Sequence, residues 1–307
     1  MSLRVTFLGT AGSIPTPQRS LPAIVVQRND ELFLFDCGEG VQRQMIKAGV
    51  SLHRRMRILI THMHGDHLLG LPGLLQTMSL LERKRKLRVY GPSGLRAFIE
   101  AVKQTVPFGQ TFPLEVIEIE DEGEVCAGKG YMVHAVRAEH LIPNLAYGLV
   151  EKPRPGKFYP EKAESLGVPK GQLWSRLQHN SAIKLPDGRT IKPEEVLGSS
   201  RPGRKLVYTG DTKPSEAIIE LANGADLLIH EATFDDELGE RAEEDGHSTP
   251  SQAAEIARKC KSKWLILTHI SARYKAANLL LAQAKKKFPH VEVAEDFMRI
   301  DLPLTDV

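Results

Sequence analysis

The chain has 307 residues, 41% of them hydrophobic, and a formal net charge of +3. That is enough apolar content to bury a large core, and so balanced a charge announces no nucleic-acid binding by itself. No apolar run is long enough to span a membrane, residues 1–5 read as the start of a strand and not as a leader, and Cys37, Cys126 and Cys260 lack paired spacing, which argues for the reducing cytoplasm and against a disulfide framework.

Residues 3–8 alternate and end at Gly9-Thr10-Ala11-Gly12, a strand running into a glycine turn. Residues 14–20 form a loop by their two prolines. Residues 23–26 and 32–35 predict a hairpin around Asn29-Asp30. The run Phe35-Asp36-Cys37-Gly38-Glu39-Gly40 then opens a helix to Ala48. In it Glu39 complements the helix dipole, and Asp36 belongs either to the turn alone or to the support of a neighbouring loop.

That neighbouring loop is the densest chemistry in the chain. Residues 58–60 read as a buried strand and lead into Thr61-His62-Met63-His64-Gly65-Asp66-His67. His62 and His64 are two apart, so in extended backbone they leave on the same side. Gly65 is expected to turn the chain, bringing Asp66 and His67 to the same cavity. Imidazole and carboxylate without thiolate suit zinc, and four donors on one loop exceed what one tetrahedral ion readily takes. The loop therefore reads as half of a two-metal site.

A helix over 71–81, a strand over 87–90, a helix over 93–105 and strands over 114–119 and 131–136 follow, the last delivering Glu139-His140. Strands alternating with helices place the chain in the α/β class, whose ligands gather at the carboxyl ends of strands. Residues 151–203 break that rhythm with prolines and glycines. Between Glu151 and Lys192 there are nine Lys/Arg against four acids, with Phe158, Tyr159, Leu173 and Trp174 among them. This reads as an inserted basic arm without a core of its own.

The rhythm resumes at Lys205. Strands over 206–209, 226–229 and 264–267 end at Asp211, at His230-Glu231 and at His269. Thr249-Pro250 opens a helix, and Gln252 completes a capping box. His140, Asp211, His230, Glu231, His247 and His269 thus all lie at or just after strand ends or loops between elements. Six such groups joined to the 62–67 loop point to metal binding, and an aspartate can bridge two cations with its two oxygens.

The pattern His62-x-His64-x-Asp66-His67 with His140, Asp211 and His269 resembles the metallo-β-lactamase superfamily. Its members hydrolyse lactams, thioesters, phosphodiesters and nucleic acids, so the fold alone does not fix the substrate. The stretches His230-Glu231-Ala232-Thr233-Phe234, His247-Ser248-Thr249 and Leu267-Thr268-His269-Ile270-Ser271-Ala272-Arg273-Tyr274 are similar to the short form of the ribonuclease Z family, endonucleases of tRNA 3′ processing. Phe7-Leu8-Gly9-Thr10 and Phe35-Asp36-Cys37-Gly38-Glu39 match as well.

The resemblance implies a single αβ/βα four-layer sandwich over residues 1–307, each half supplying one sheet and its outer helices, with 151–203 as a protruding arm. One zinc ion would take His62, His64 and His140, a second Asp66, His67 and His269, with Asp211 between them. Asp66 would also accept the proton of the attacking water. His247, oriented by Glu231, would be the acid for the leaving 3′ oxygen, and Arg273 and Arg19 would hold substrate phosphate. The implied cut in precursor tRNA falls after the discriminator nucleotide, leaving a 3′-hydroxyl on the tRNA and a 5′-phosphate on the trailer. The arm of one subunit would present tRNA to the site of another, which implies a homodimer. The family loop Pro-x-Lys-x-Arg-Asn, which helps reject tRNA already ending in CCA, reads here Pro15-Thr16-Pro17-Gln18-Arg19-Ser20. Its missing lysine predicts weaker rejection. The rival is a small-molecule hydrolase on the same fold, such as a thioesterase or cyclic phosphodiesterase, which has no use for a basic arm.

Overall fold

A computed structural model describes residues 2–304. The chain divides into two compact units, one formed by residues 2–127, 132–150 and 205–303, the other by 128–131, 151–204 and Leu304.

The larger unit is built on two seven-stranded sheets. The first runs Arg299–Asp301, Leu3–Gly9, Ala23–Arg28, Glu31–Phe35, Arg55–Leu59, Leu87–Gly91, Leu114–Glu118. Its first four strands are antiparallel neighbours, and from Glu31–Phe35 onward the pairing is parallel. The second runs Val291–Val293, Leu265–Thr268, Leu227–Glu231, Lys205–Tyr208, Asn144–Glu151, Tyr131–Ala138, Gly123–Gly128. The expected hairpin around Asn29 is present, with Asn29 at φ 53°. Three strands of these two sheets have no counterpart in the sequence reading: Gly123–Gly128, Asn144–Glu151 and Arg299–Asp301. The first and last lie at sheet edges and are short or polar. Asn144–Glu151 is buried on both faces, so it carries no alternation to read.

Alternation along each strand assigns its two faces. Leu32 and Leu34 join Val41, Met45, Leu71, Leu74 and Leu95 from the helices Val41–Lys47, Gly70–Leu80 and Leu95–Thr105 in one core. Phe35 points the other way, to Tyr147 and Tyr208 of the second sheet, with ring centroids 6.0 and 5.9 Å apart. On the outer face of the second sheet, Ile218, Ala253, Ala257 and Ala284 from the helices Glu216–Ala222, Pro250–Lys259 and Asn278–Lys285 meet Val207, Leu228 and Leu265. The order is helices, sheet, sheet, helices. Burying each Leu or Ile of these layers contributes about 1.5–3 kcal/mol. The capping box is formed: Thr249 Oγ1 accepts from Gln252 N, and Thr249 N donates to Gln252 Oε1 at 2.9 Å.

The smaller unit departs from the coreless arm expected. Helices Pro160–Ser165, Gln172–Gln178 and Pro193–Val196 and the hairpin of Ile183–Lys184 with Thr190–Ile191 enclose Ala163, Val168, Leu177, Ile183, Leu185, Ile191, Val196 and Leu197. The prolines cut these residues into pieces too short to show a period, which hid the core. Trp174 packs against it and donates Nε1–H to Val168 O at 2.9 Å. The two ends of the insert are tied by a buried ion pair, Arg204 Nε to Glu151 Oε2 at 2.7 Å. Lys152, Lys157, Lys184 and Lys192 remain exposed.

Candidate metal centre

The parallel strands of both sheets deliver their carboxyl ends to one place. Beyond Arg55–Leu59, His64 N-caps the one-turn helix Gly65–Leu68. The turn expected of Gly65 is made by that helix, so Gly65 has no left-handed φ. Asp66 and His67 lie in its first turn. Asp211 follows Lys205–Tyr208, Glu231 ends Leu227–Glu231, and His269, at φ 58°, follows Leu265–Thr268. His140 follows Tyr131–Ala138.

Their donor atoms converge. His64 Nδ1 lies 3.0 Å from His62 Nε2 and 3.3 Å from His140 Nε2. His67 Nε2 and His269 Nε2 each lie 3.3 Å from Asp211 Oδ2 and 3.4 Å from Asp66 Oδ2. His62 Nε2 is 3.7 Å from Asp211 Oδ2. Two sets of donors each lie within 4.8 Å of one another, His62, His64, His140 with Asp211, and Asp66, His67 with His269, and a third group of Asp211, His247 and His269 is as close. Asp211 Oδ2 sits between the two sets.

The opposite nitrogen of four of these rings is held from behind, which fixes the tautomer. His140 Nδ1 meets Gly246 O at 2.7 Å. A carbonyl only accepts, so the proton is on Nδ1 and the Nε2 lone pair faces inward. His67 Nδ1 donates to Asp36 Oδ2 at 2.8 Å. Thr61 Oγ1 gives its proton to Asp36 and so accepts from His62 Nδ1 at 2.9 Å. Thr233 Oγ1 gives its proton to Glu231 and accepts from His269 Nδ1 at 2.8 Å. Asp36 is thus the shared support of the loop, at φ 57° and further bound by Tyr208 Oη at 2.8 Å.

This donor set fits divalent cations. Burial holds His62, His64 and His140 below the usual histidine pKa, leaving neutral imidazoles. Burial opposes the charge on Asp66 and Asp211, but His67, itself raised against its burial by Asp211 and Asp36, and His269 outweigh it and keep both well below the carboxylate range. Asp211 Oδ1 is buried with no hydrogen-bond partner among the described residues. Buried carboxylates with an oxygen unspent call for a cation.

His247 belongs to neither of the first two sets but forms the third close group with Asp211 and His269. Its ring centroid is 5.1 Å from that of His140 and 5.4 Å from that of His269. Nδ1 pairs with Glu231 Oε1 at 2.8 Å. Burial disfavours its charge, yet the Glu231 carboxylate prevails and raises the imidazole to about 9. Glu231 is fixed in turn by the backbone N–H groups of Thr212, Thr233 and Ser248.

Comparison with known proteins accounts for the arrangement. A family model described as Anti-Pycsar protein Apyc1 matches residues 3–154, and one described as Beta-lactamase superfamily domain matches residues 175–270. The Ribonuclease Z of Methanosarcina acetivorans is 47% identical over 302 residues, 98% of each chain. That of Archaeoglobus fulgidus is 48% identical over 309 residues, again 98% of each. The crystal structure of human tRNase Z, short form, superposes with a TM-score of 0.72 at 32% identity, covering 98% of this chain and 99% of that one. The chain belongs to the ribonuclease Z family. Its fold is the metallo-β-lactamase fold, which it also shares with the YhfI protein of Bacillus subtilis at a TM-score of 0.69.

In this ribonuclease Z family member the two arginines differ in setting. Arg273 stacks over Phe234 at 4.7 Å, and Phe234 lies 5.8 Å from the His247 ring, so the guanidinium stands at the rim of the site. Arg19 instead turns Nη1 inward to Thr10 Oγ1 at 2.7 Å and Ala294 O at 2.5 Å. It lines a groove of about 840 Å³ together with Lys275 and Asp296. His230 joins no donor set, because alternation along its strand points it away from Glu231.

The sequence reading missed several supports. Thr61 and Thr233 sit beside recognised residues but look like ordinary strand-end threonines. Gly12 pairs with the segment after His269, and a Cβ on Gly12 would fall 2.7 Å from His269 Nδ1, so only glycine admits the ring. Ser13 N then reaches Asp66 Oδ2 at 2.9 Å. Nothing local in the sequence signals Gly246 or Tyr208.

Proposed function

We propose that this chain is a zinc-dependent endoribonuclease of the cytoplasm that removes 3′ trailers from precursor tRNA, leaving a 3′-hydroxyl on the tRNA and a 5′-phosphate on the trailer. The observation that carries the reading is the convergence of His62, His64, Asp66, His67, His140, Asp211 and His269 in a chain that matches ribonuclease Z relatives along its length. That full-length match also weighs against a small-molecule hydrolase.

His62, His64 and His140 would hold one zinc ion and Asp66, His67 and His269 a second, with Asp211 serving both. When bound, the pair supplies Lewis acidity toward the phosphoryl group and toward water. The chain's residues do the rest. Asp66 Oδ2 accepts from Ser13 N and faces the His67 and His269 nitrogens, which leaves Oδ1 to accept the proton of the attacking water. His247 donates a proton to the leaving 3′ oxygen, and Glu231 keeps its ring oriented and charged. Arg273 holds a flanking phosphate, a role for which its five donors and its place on Phe234 suit it. Arg19, anchored at Nη1, shapes the loop 15–20 and presents its remaining donors to the substrate. The insert 151–203 is a basic arm whose exposed lysines engage A-form backbone by charge and shape. The active form is a homodimer, a reading supported by the exposed Leu69, Leu80 and Leu81 on and beside the helix Gly70–Leu80. No helix among the described residues is long and apolar enough to cross a membrane.

The test is incubation of a 3′-extended precursor tRNA with the protein, followed by mapping of both new ends. A 3′-hydroxyl on the tRNA and a 5′-phosphate on the trailer are expected. An intact precursor, beside hydrolysis of a cyclic nucleotide or thioester, would contradict the reading.

A further inference from the structure

A groove of about 710 Å³ opens beside the metal centre, and His140 is part of its wall. The volume falls in the ~300–1,000 Å³ range of sites that enclose small ligands. Its apolar lining comes from Ile119 and from Leu141-Ile142-Pro143, and Leu141 is 65% exposed. Glu120, Asp121 and Glu139 also line it. The cations there are engaged: Arg137 Nη2 donates to Glu120 O at 3.1 Å, and Lys213 pairs with Glu243 at 2.9 Å. The three acidic lining residues, with Glu243 on Lys213, outnumber the two cations, an excess of negative charge that disfavours a phosphate backbone. The groove suits a neutral, flat, partly apolar group able to donate to carboxylates. In RNA that group is a base, turned out of its stack.

Its position relative to His247 selects which base. His140 Nδ1 donates to Gly246 O, the residue before His247. Gly246 has φ 74°, and a Cβ there would fall 2.8 Å from His140 Nδ1 and 3.1 Å from Leu141 N. The groove wall and the His247 loop therefore touch. A nucleoside whose 3′ oxygen takes a proton from His247 has this groove beside it.

We propose that the groove is a base-binding subsite for the nucleoside that carries the leaving 3′ oxygen, the last one retained on the tRNA. The proposal rests on the endoribonuclease reading above. The test compares kcat/KM of the wild-type and Leu141→Ser proteins on three precursors: intact, abasic at the last retained nucleoside, and abasic at the first trailer nucleoside. For the wild type, loss of the retained base lowers kcat/KM on the order of tenfold, the usual worth of an apolar pocket contact. Leu141→Ser starts near that lower value and loses little more when the base is removed. Removing the trailer base affects both proteins equally. Additive losses at the retained base, or coupling of Leu141 to the trailer base, would overturn the subsite while leaving the endonuclease in place. Failure of the wild type to cut any precursor would contradict both.

Discussion

Thr61 Oγ1 is the smallest part of the centre with a large expected effect. It gives its proton to Asp36 and takes one from His62 Nδ1, so it couples two supports of the metal loop. Thr61→Val keeps the shape and removes both bonds. Loss of such a support lowers metal affinity by roughly 10–100-fold, which competition with a chelator would measure. Unchanged affinity would mean that His62 needs no orienting partner. His247 makes the opposite prediction. It stands in close reach of Asp211 and His269, but its Nδ1 is engaged by Glu231, so His247→Ala is expected to retain its metal while precursor cleavage slows by roughly 10²–10⁴. The loss should shrink for a nitrophenyl phosphodiester, whose leaving group needs no proton. An equal loss on both substrates would remove His247 as the acid.

At the scale of elements, the loop 15–20 is proposed to influence where the cut falls. Thr16 N bonds Arg19 O at 2.8 Å and Ser20 N bonds Asp296 Oδ2 at 2.7 Å, so the loop is closed upon itself and pinned without a lysine. Pro17 offers no charge or donor where the family loop has an ammonium. Precursors that contain CCA are therefore expected to be cut, after the discriminator or after CCA according to substrate, as mapped 3′ ends of matched precursors would reveal. Strong inhibition by CCA would contradict this. The elements that the sequence made legible are those with a period or a cap: the hairpin at Asn29, the Thr249 capping box and the strand into His62. The strand Asn144–Glu151, buried along both faces, and the small core around Leu177, broken by prolines, gave no such signal. The centre followed the same rule. Its imidazoles and carboxylates were readable from type and spacing. The groups behind them were not, because Tyr208 reaches Asp36 across 172 positions of sequence.

For the whole molecule, a separate task is proposed for each of the two units. The larger unit contains every donor of the centre, and the smaller carries exposed lysines on a core of its own. Replacing Lys152, Lys157 and Lys184 by Gln leaves that core untouched. It should weaken precursor binding and make the dependence of log K on log salt shallower by about 2–3, with nitrophenyl phosphodiester hydrolysis far less affected. An unchanged salt dependence would show those lysines to be ordinary surface charges. The central claim is that one centre, assembled from both halves of the chain, works with two zinc ions. Its most direct test is the rate of precursor cleavage as zinc is returned to metal-free protein, with zinc per chain measured by elemental analysis. The account predicts that activity reaches its limit only at two ions per chain. Full activity at one ion, or at none, would contradict it.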